Sequence, residues 1–424
     1  MSYSATHNMC AVSQDPESEM MPTKNVDLLL LSSLEDTPTI VRNRFTDQDE
    51  MTGNEEPTKI YKKTTRFEMP LTFERAQAQH FAFLLGFGLG AHAKELKTGH
   101  AIHTITPIDG EYSDKSPNPS FTLKMKTGDT IGIDTYSGVF VDEVTARFEK
   151  DAFASLRSNL KGTGKVDNAL IRKEAVINGN ENMTIDLSSA PVLNGKAENI
   201  HKIEVYAGNA WRSVAISSIS TNGATLIVHP RSEIQDSTDY TYRIYYLSHV
   251  IGEIGGTIPE EPLFETPLFV SDFTVRAGGY WTGLDLQGGH AIDADLSSLE
   301  YTLSNNLSFE TGFNANGARY ATRVFREGRT QTLKLDKTAK NLLLRAYHEY
   351  NDYLGMTITA TGDEIPNTGG EKYKLEMIFP KVGFMNHSKS IKDKNNAESL
   401  ELTVLKSELF PSVIVKVISK LHGA

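Results

Sequence analysis

Three histidines, His92, His100 and His103, share one short segment with Glu95. Imidazoles beside a carboxylate are the donor set of a zinc site. Their spacing fits no helical H-E-x-x-H pattern, and polar histidines of a loop are the simpler reading. Gly162-Thr163-Gly164-Lys165 looks like part of a phosphate-cradling loop. Asn159, however, stands where that motif needs its first glycine, and Val166 where it needs Ser or Thr. The stretch reads as a turn after a strand. Gly86, Gly88 and Gly90 follow a helical stretch instead of leading a strand into one, which removes the dinucleotide-binding reading. Asp293, Asp295, Asp363 and Glu364 have the chemistry for calcium or an acid-base pair, but they lack the spacing of an EF-hand loop and stand among turn residues. The expectation is a protein that is not an enzyme, with no catalytic residue, cofactor or metal.

One basic run remains: Arg319, Arg323, Arg326 and Arg329, interleaved with Tyr320 and Phe325. Guanidinium forks grip phosphates or carboxylates. The chain carries 43 Lys and Arg against 54 Asp and Glu, a net charge of -11, so the four arginines are expected at a subunit contact instead of a nucleic-acid site. Its 424 residues, 39% hydrophobic and 23% charged, suit two or three folded domains. A single cysteine, Cys10, excludes a disulfide framework or a multi-cysteine metal site and fits a reducing compartment. The apolar run from Val26 to Leu31 falls far short of the roughly 20 residues that span a bilayer. Asp15, Glu17 and Glu19 make the N-terminal stretch unlike a secretory signal. A soluble protein of the cytoplasm, or of an assembly made there, is expected.

Residues 1–60 show little period and read as an N-terminal arm that orders against a neighbouring subunit. From 61 the pattern sharpens. Phe67, Met69, Leu71 and Phe73 alternate as a half-buried strand, and 74–86 read as a helix ended by Gly86. Phe121, Leu123 and Met125 alternate next. Val139–Phe148 and Ala152–Leu160 read as a hairpin turning at Lys150-Asp151. A similar order recurs after 270. Leu299–Phe309 alternates, Leu333 and Leu335 feed a helix over 337–353 with Leu343, Ala346, Tyr347 and Tyr350 on one stripe, and Tyr373, Leu375 and Met377 repeat the spacing of Phe121, Leu123 and Met125. Lys394-Asn395 then precedes Ser399-Leu400 as Lys150-Asp151 precedes Ser155-Leu156. The expectation is a mainly β chain built as a tandem duplication, 61–171 and 270–424, with a short helix in each copy. Between the copies, 172–250 holds short strands separated by Asn-Gly pairs and reads as an inserted small all-β module. The Gly- and Pro-rich 251–269 reads as its return linker.

Several stretches carry a family resemblance. They are Arg66–Gly90, His103-Thr104-Ile105-Thr106-Pro107, Pro119–Leu123 and Tyr136–Val141 in the first half. In the second they are Ser304–Leu307, Val324–Arg329 and Phe379-Pro380-Lys381-Val382. In this order they resemble the major tail tube proteins of siphophages, the phages with long non-contractile tails, in a two-domain duplicated form. The resemblance implies tail-tube-like β-sandwich domains whose sheets join into a barrel, in stacked rings forming the hollow tube through which DNA is ejected. With the family's sixfold ring and two units per chain, three chains complete a ring. It also implies the tape-measure protein, tail terminator and tail tip proteins as partners, double-stranded DNA as a transient passenger, and a place in the virion tail after assembly in the host cytoplasm.

Strand alternation sets Glu143, Thr145 and Arg147 on the side away from Val144, Ala146 and Phe148, and likewise Asn306, Ser308, Glu310, Glu401 and Thr403 away from their apolar neighbours. These eight are the expected lining of an acidic, polar channel. Ring-to-ring contacts are expected from the N-terminal arm and from 91–120. Two other readings are a different tail ring component, such as a baseplate or terminator protein, and a β-rich receptor or glycan-binding module stacking sugars on Tyr206 and Trp211.

Overall fold

A computed structural model describes residues 8–22, 28–31, 36–47, 56–57, 60–127, 132–167, 170–178, 183–229, 238–248, 258, 264–270, 273–311, 320–339, 343–392 and 395–420. The protein is mainly β, with two α-helices among the described residues. No helix among them is long and apolar enough to cross a membrane.

The first unit runs β1 (Met9–Ser13), β2 (Leu28–Leu31), β3 (Thr39–Thr46), β4 (Ile60–Phe73), α1 (Ala78–Leu89), β5 (Gly90–Lys97), β6 (His100–Pro107), β7 (Phe121–Thr127), β8 (Gly132–Glu149) and β9 (Ser155–Asp167). Its antiparallel strands lie side by side as β2-β1-β7-β8-β9-β4-β3. An intervening module holds β10 (Leu170–Asn178), β11 (Met183–Asp186), β12 (Ile200–Ala207), β13 (Ala210–Ser213), β14 (Ala215–Ile219), β15 (Thr225–His229) and β16 (Asp239–Leu247). Two small sheets, β10-β16-β12-β13 and β11-β15-β14, enclose a separate core that includes Leu187, Val205, Leu226 and Tyr242. Gly208 and Asn209, both at positive φ, make the tight turn between β12 and β13.

The second unit comprises β17 (Phe273–Ala277), the small hairpin β18 (Tyr280–Trp281) and β19 (Leu286–Gln287), β20 (His290–Ala291), β21 (Leu296–Ser304), β22 (Leu307–Glu310), β23 (Arg323–Arg326), β24 (Thr330–Thr338), α2 (Leu343–Tyr350), β25 (Leu354–Glu364), β26 (Lys372–Lys392), β27 (Asn395–Val404) and β28 (Ile414–Lys420). Its strands lie as β20-β17-β25-β26-β27-β24-β21. Strand for strand, chain order and pairing order repeat those of the first unit. Two β-bulges repeat as well. The β7–β8 ladder shifts between Phe121 and Leu123 as the β25–β26 ladder does between Leu354 and Met356. The β8–β9 ladder shifts between Val141 and Glu143 as the β26–β27 ladder does between Phe384 and Asn386. A bulge bends a strand at a set place, so shared bulges are a stronger mark of kinship than alternation.

Several expectations change. The counterpart of Phe121, Leu123 and Met125 is β25, not Tyr373–Met377, which lie on the next strand, β26; any half-buried strand shows the same alternation. The described parts of residues 1–60 supply β1, β2 and β3 to the first unit's sheet instead of forming a separate arm. Strand β1 is sandwiched between β2 and β7, with Ala11 and Val12 fully buried. Helix α1 passes through Gly86 and Gly88 and ends at Gly90, at φ 99. A Cβ on Gly88 would lie 3.0 Å from Leu303, so this glycine serves close packing instead of termination. All twelve residues of α1 are buried, as expected of a helix apolar all round. Among the described side chains of α2, Leu344 is the buried one while Tyr350 is exposed, which departs from the expected stripe; the side chain of Leu343 lies outside those described. Residues 264–270 of the expected linker dock on the first unit. Glu265 accepts the Gln79 backbone N–H at the start of α1 (2.9 Å), and Leu268 exchanges backbone bonds with Ala76 and Ala154.

Candidate functional site

Residues directly opposite each other on neighbouring strands share a face. Arg147 on β8 lies opposite Glu300 on β21, Glu300 opposite Lys334 on β24, Lys334 opposite Glu401 on β27, and Glu401 opposite Asn386 on β26. Asn386 Nδ2 donates to Glu401 Oε2 over 2.8 Å. The next row is neutral, running Thr145, Thr302, Thr332, Thr403, with the Thr145 and Thr302 hydroxyls 3.3 Å apart. On β9, Arg157 lies opposite Thr145 and Asn159 opposite Glu143. One polar face therefore crosses both units along β9-β8-β21-β24-β27-β26. Its reverse carries Val144, Ala146, Tyr301, Leu333, Leu335 and Leu400 into the core.

Glu143, Thr145, Arg147, Glu401 and Thr403 come together on this face. Asn306, Ser308 and Glu310 do not. The chain turns at Asn306 (φ 48), and Leu307–Glu310 leaves the sheet to pair with β23, burying Leu307 and Phe309 against Phe140 and Val324. Alternation runs on through Asn305 and hides that break. Glu300, Thr302, Thr332 and Lys334 occupy the face instead; the period-two pattern of 330–335 was the available signal. The face is also not simply acidic, because signs alternate along its charged row. A depression of about 290 Å³ opens on it, lined in part by Glu143, Arg147, Arg157 and Glu300.

Two strand pairs join the units. Ser298–Ser304 of β21 pairs with Glu143–Glu149 of β8, and Val415–Lys420 of β28 pairs with His100–Ile105 of β6. At this junction Arg329 donates from Nη2 to Leu89 O (3.1 Å) and Asn118 Oδ1 (3.2 Å), from Nη1 to Ile108 O (3.2 Å) and from Nε to Asn305 Oδ1 (3.0 Å). Asn118 and Asn305 each donate to Gly88 O. Second-unit side chains thus serve carbonyls at the end of α1 that have no partner within the helix, and a cation there suits its dipole. Arg326 reaches Asn118 Oδ1 (3.0 Å) and Gly110 O (3.2 Å), and Arg323 reaches Asp114 O (3.2 Å). Burial, then the neighbouring Arg326, pushes the Arg329 guanidinium down to about 10. Arg323, Arg326 and Arg329, expected at a subunit contact, are engaged within the chain; Arg319 lies outside the described residues. The spacing of the run gave no sign of the partners, all of which but Asn305 lie more than two hundred residues away.

The histidines fall on the β5–β6 hairpin instead of a loop. His92 Nε2 and His103 Nδ1 share a hydrogen bond of 2.9 Å, and His103 Nε2 meets Ser419 Oγ at 2.9 Å. Burial, and then His92, pushes His103 down to about 3, so both of its nitrogens are engaged in neutral contacts. They edge a cavity of about 430 Å³ floored by Ala82, Phe83 and Phe87 of α1. No metal-ligand cluster occurs among the described residues. In the inserted module, the Arg243 guanidinium covers one face of the Trp211 ring at 3.8 Å.

No protein-family model matches the chain, and no curated protein matches it in sequence.

Proposed function

We propose that the chain is a structural subunit that assembles through its sheet edges into rings and stacks them into a hollow tube, as the siphophage tail tube resemblance implies, with DNA passing through the lumen. The carrying observation is the polar face shared by two like-built units, in a sheet whose borders, the outer side of β3 and Asn386–Ile391 of β26, have no partner among the described residues. Such borders invite pairing with another chain, and head-to-tail contacts that close by rotation make rings. The tape-measure, terminator and tip proteins are partners under the same reading. Negative-stain microscopy of the purified protein, alone and with a tip complex, is the test: hollow filaments of constant diameter are expected. Rings that never stack would favour a terminator or baseplate role, and monodisperse monomer under all conditions would overturn the reading.

The wall also has a testable charge balance. Alternating signs and a threonine row give passing phosphates no basic stripe to hold. Replacing Glu143, Glu300 and Glu401 together by Lys turns the charged row basic. Ejection from assembled tails should then slow at least about fivefold at low salt, with the gap narrowing as salt rises, since exposed charges are screened over about 8 Å at physiological strength. Unchanged ejection kinetics would remove this face from the lumen.

A further inference from the structure

Superposing the ladders of the two units shows where one chain would meet the next. The shared bulges fix the correspondence: Val139 with Val382, Val141 with Phe384, Glu143 with Asn386, and so to Phe148 with Ile391. In the first unit, the outer border of β8 from Glu143 to Glu149 is covered by β21. In the second, the equivalent border of β26 from Asn386 onward, beyond the last β25 pair at Val382, has no partner among the described residues. The difference shows in burial: Phe148 is 3% exposed and its counterpart Ile391 78%. The strand equivalent to β21 is β3, which pairs with β4 as β21 pairs with β24 and is unpaired on its other side among the described residues.

We propose that Asp36–Val41 of one chain, the start of β3 and the three residues before it, adds antiparallel to Asn386–Ile391 of β26 in a second copy of the chain, reproducing between chains the β8–β21 seam found within one. This rests on reading the chain as a ring-forming subunit. Register follows from the pairs already present. Leu303 lies opposite Gln331 and Ile40 opposite Phe67, equivalent places in the two ladders, so Ile40 takes the part of Leu303. Val144 with Leu303 then becomes His387 with Ile40, and Thr145 with Thr302 becomes Ser388 with Thr39. On the wall side Ser388 meets Thr39 and Ser390 meets Thr37, continuing the face described above, while Asn386 lies opposite Val41. On the other side Lys389 comes diagonal to Asp36, whose Oδ2 is shielded from solvent and without a hydrogen-bond partner among the described residues. The string Ser-Ser-Leu-Glu at 297–300, which opens β21, also stands at 32–35, within two residues of this register.

Engineered cysteines read the seam directly, since the native Cys10 is 1% exposed. The full chain carrying both Thr39→Cys and Ser388→Cys should, under mild oxidation, give chain-to-chain disulfides ending in a closed covalent trimer, while each single variant gives none of that ladder. Thr145→Cys with Thr302→Cys is the control and should close within one chain. Ile391→Asp, which sets a second carboxylate opposite Asp36 from a site exposed in the monomer, should raise the concentration needed for assembly at least tenfold without changing the melting of the monomer. Filaments that form without cross-links would overturn the seam and leave the tube intact. Cross-linked oligomers that never become filaments would keep the seam and overturn the tube. Neither product, at concentrations of protein where the control closes, would overturn both.

Discussion

Arg329→Met should cost on the order of 2–4 kcal/mol of stability and loosen the second unit from the first, because a half-buried guanidinium that donates to four oxygens is replaced by a group that donates to none of them. Asn118 and Asn305 would lose the cation that orients their amides toward Gly88 O. Arg329→Lys should recover little, since an ammonium does not reproduce a planar fork reaching four oxygens. Arg323→Ala, at an exposed position, should fall within about 1 kcal/mol of the parent. Denaturant titration followed by both tryptophan emission and far-ultraviolet dichroism checks this. Separate transitions for the two probes in Arg329→Met would mark uncoupling, and a loss below about 1 kcal/mol would show that the junction does not depend on this side chain.

A second large effect is expected from Lys337. Its Nζ lies 3.3 Å from Glu398 Oε2, with side-chain exposures of 1% and 2%, and His387 Nε2 stands 3.6 Å from the other oxygen. The equivalent pair in the first unit is Phe73 and Leu156, both in the apolar core. Lys337→Met should destabilise by about 3–5 kcal/mol at neutral pH, because it strands a carboxylate out of water. Lys337→Met with Glu398→Leu, which restores the first unit's chemistry, should be neutral or even stabilising by about 1–4 kcal/mol. A double variant as unstable as the single one would show that the site depends on packing and not on charge.

Local chemistry made much of this legible in the sequence. The β8–β9 hairpin turns where Lys150-Asp151 stand, with Asp151 at φ 60, and β27 begins at Asn395 as its counterpart. The period-two reading of Glu143, Thr145, Arg147, Glu401 and Thr403 placed them on one side, since alternation is a property of each strand alone. What depends on neighbours was hidden. Asn306 bends the chain out of the sheet although Leu303, Leu307 and Phe309 on either side keep to one even spacing. Strand β1 reads as polar coil because only Met9–Val12 is apolar, and its burial comes from β2 and β7. Gly86 looks like a helix terminator, yet the helix continues because β5 turns back close above it, where a Cβ would meet His92 at 3.1 Å. Arg329 was visible as a cation and invisible as a clamp, for all its acceptors but Asn305 come from the other unit.

In the ring proposed above, the covalent link between the two units has a consequence of parity. Closing a loop from single modules leaves five, six or seven members separated only by small differences in curvature, so miscounted closures are a constant hazard. When modules arrive in tethered pairs, odd numbers are forbidden outright. The nearest errors then differ by two members, and the strain against them is correspondingly steeper.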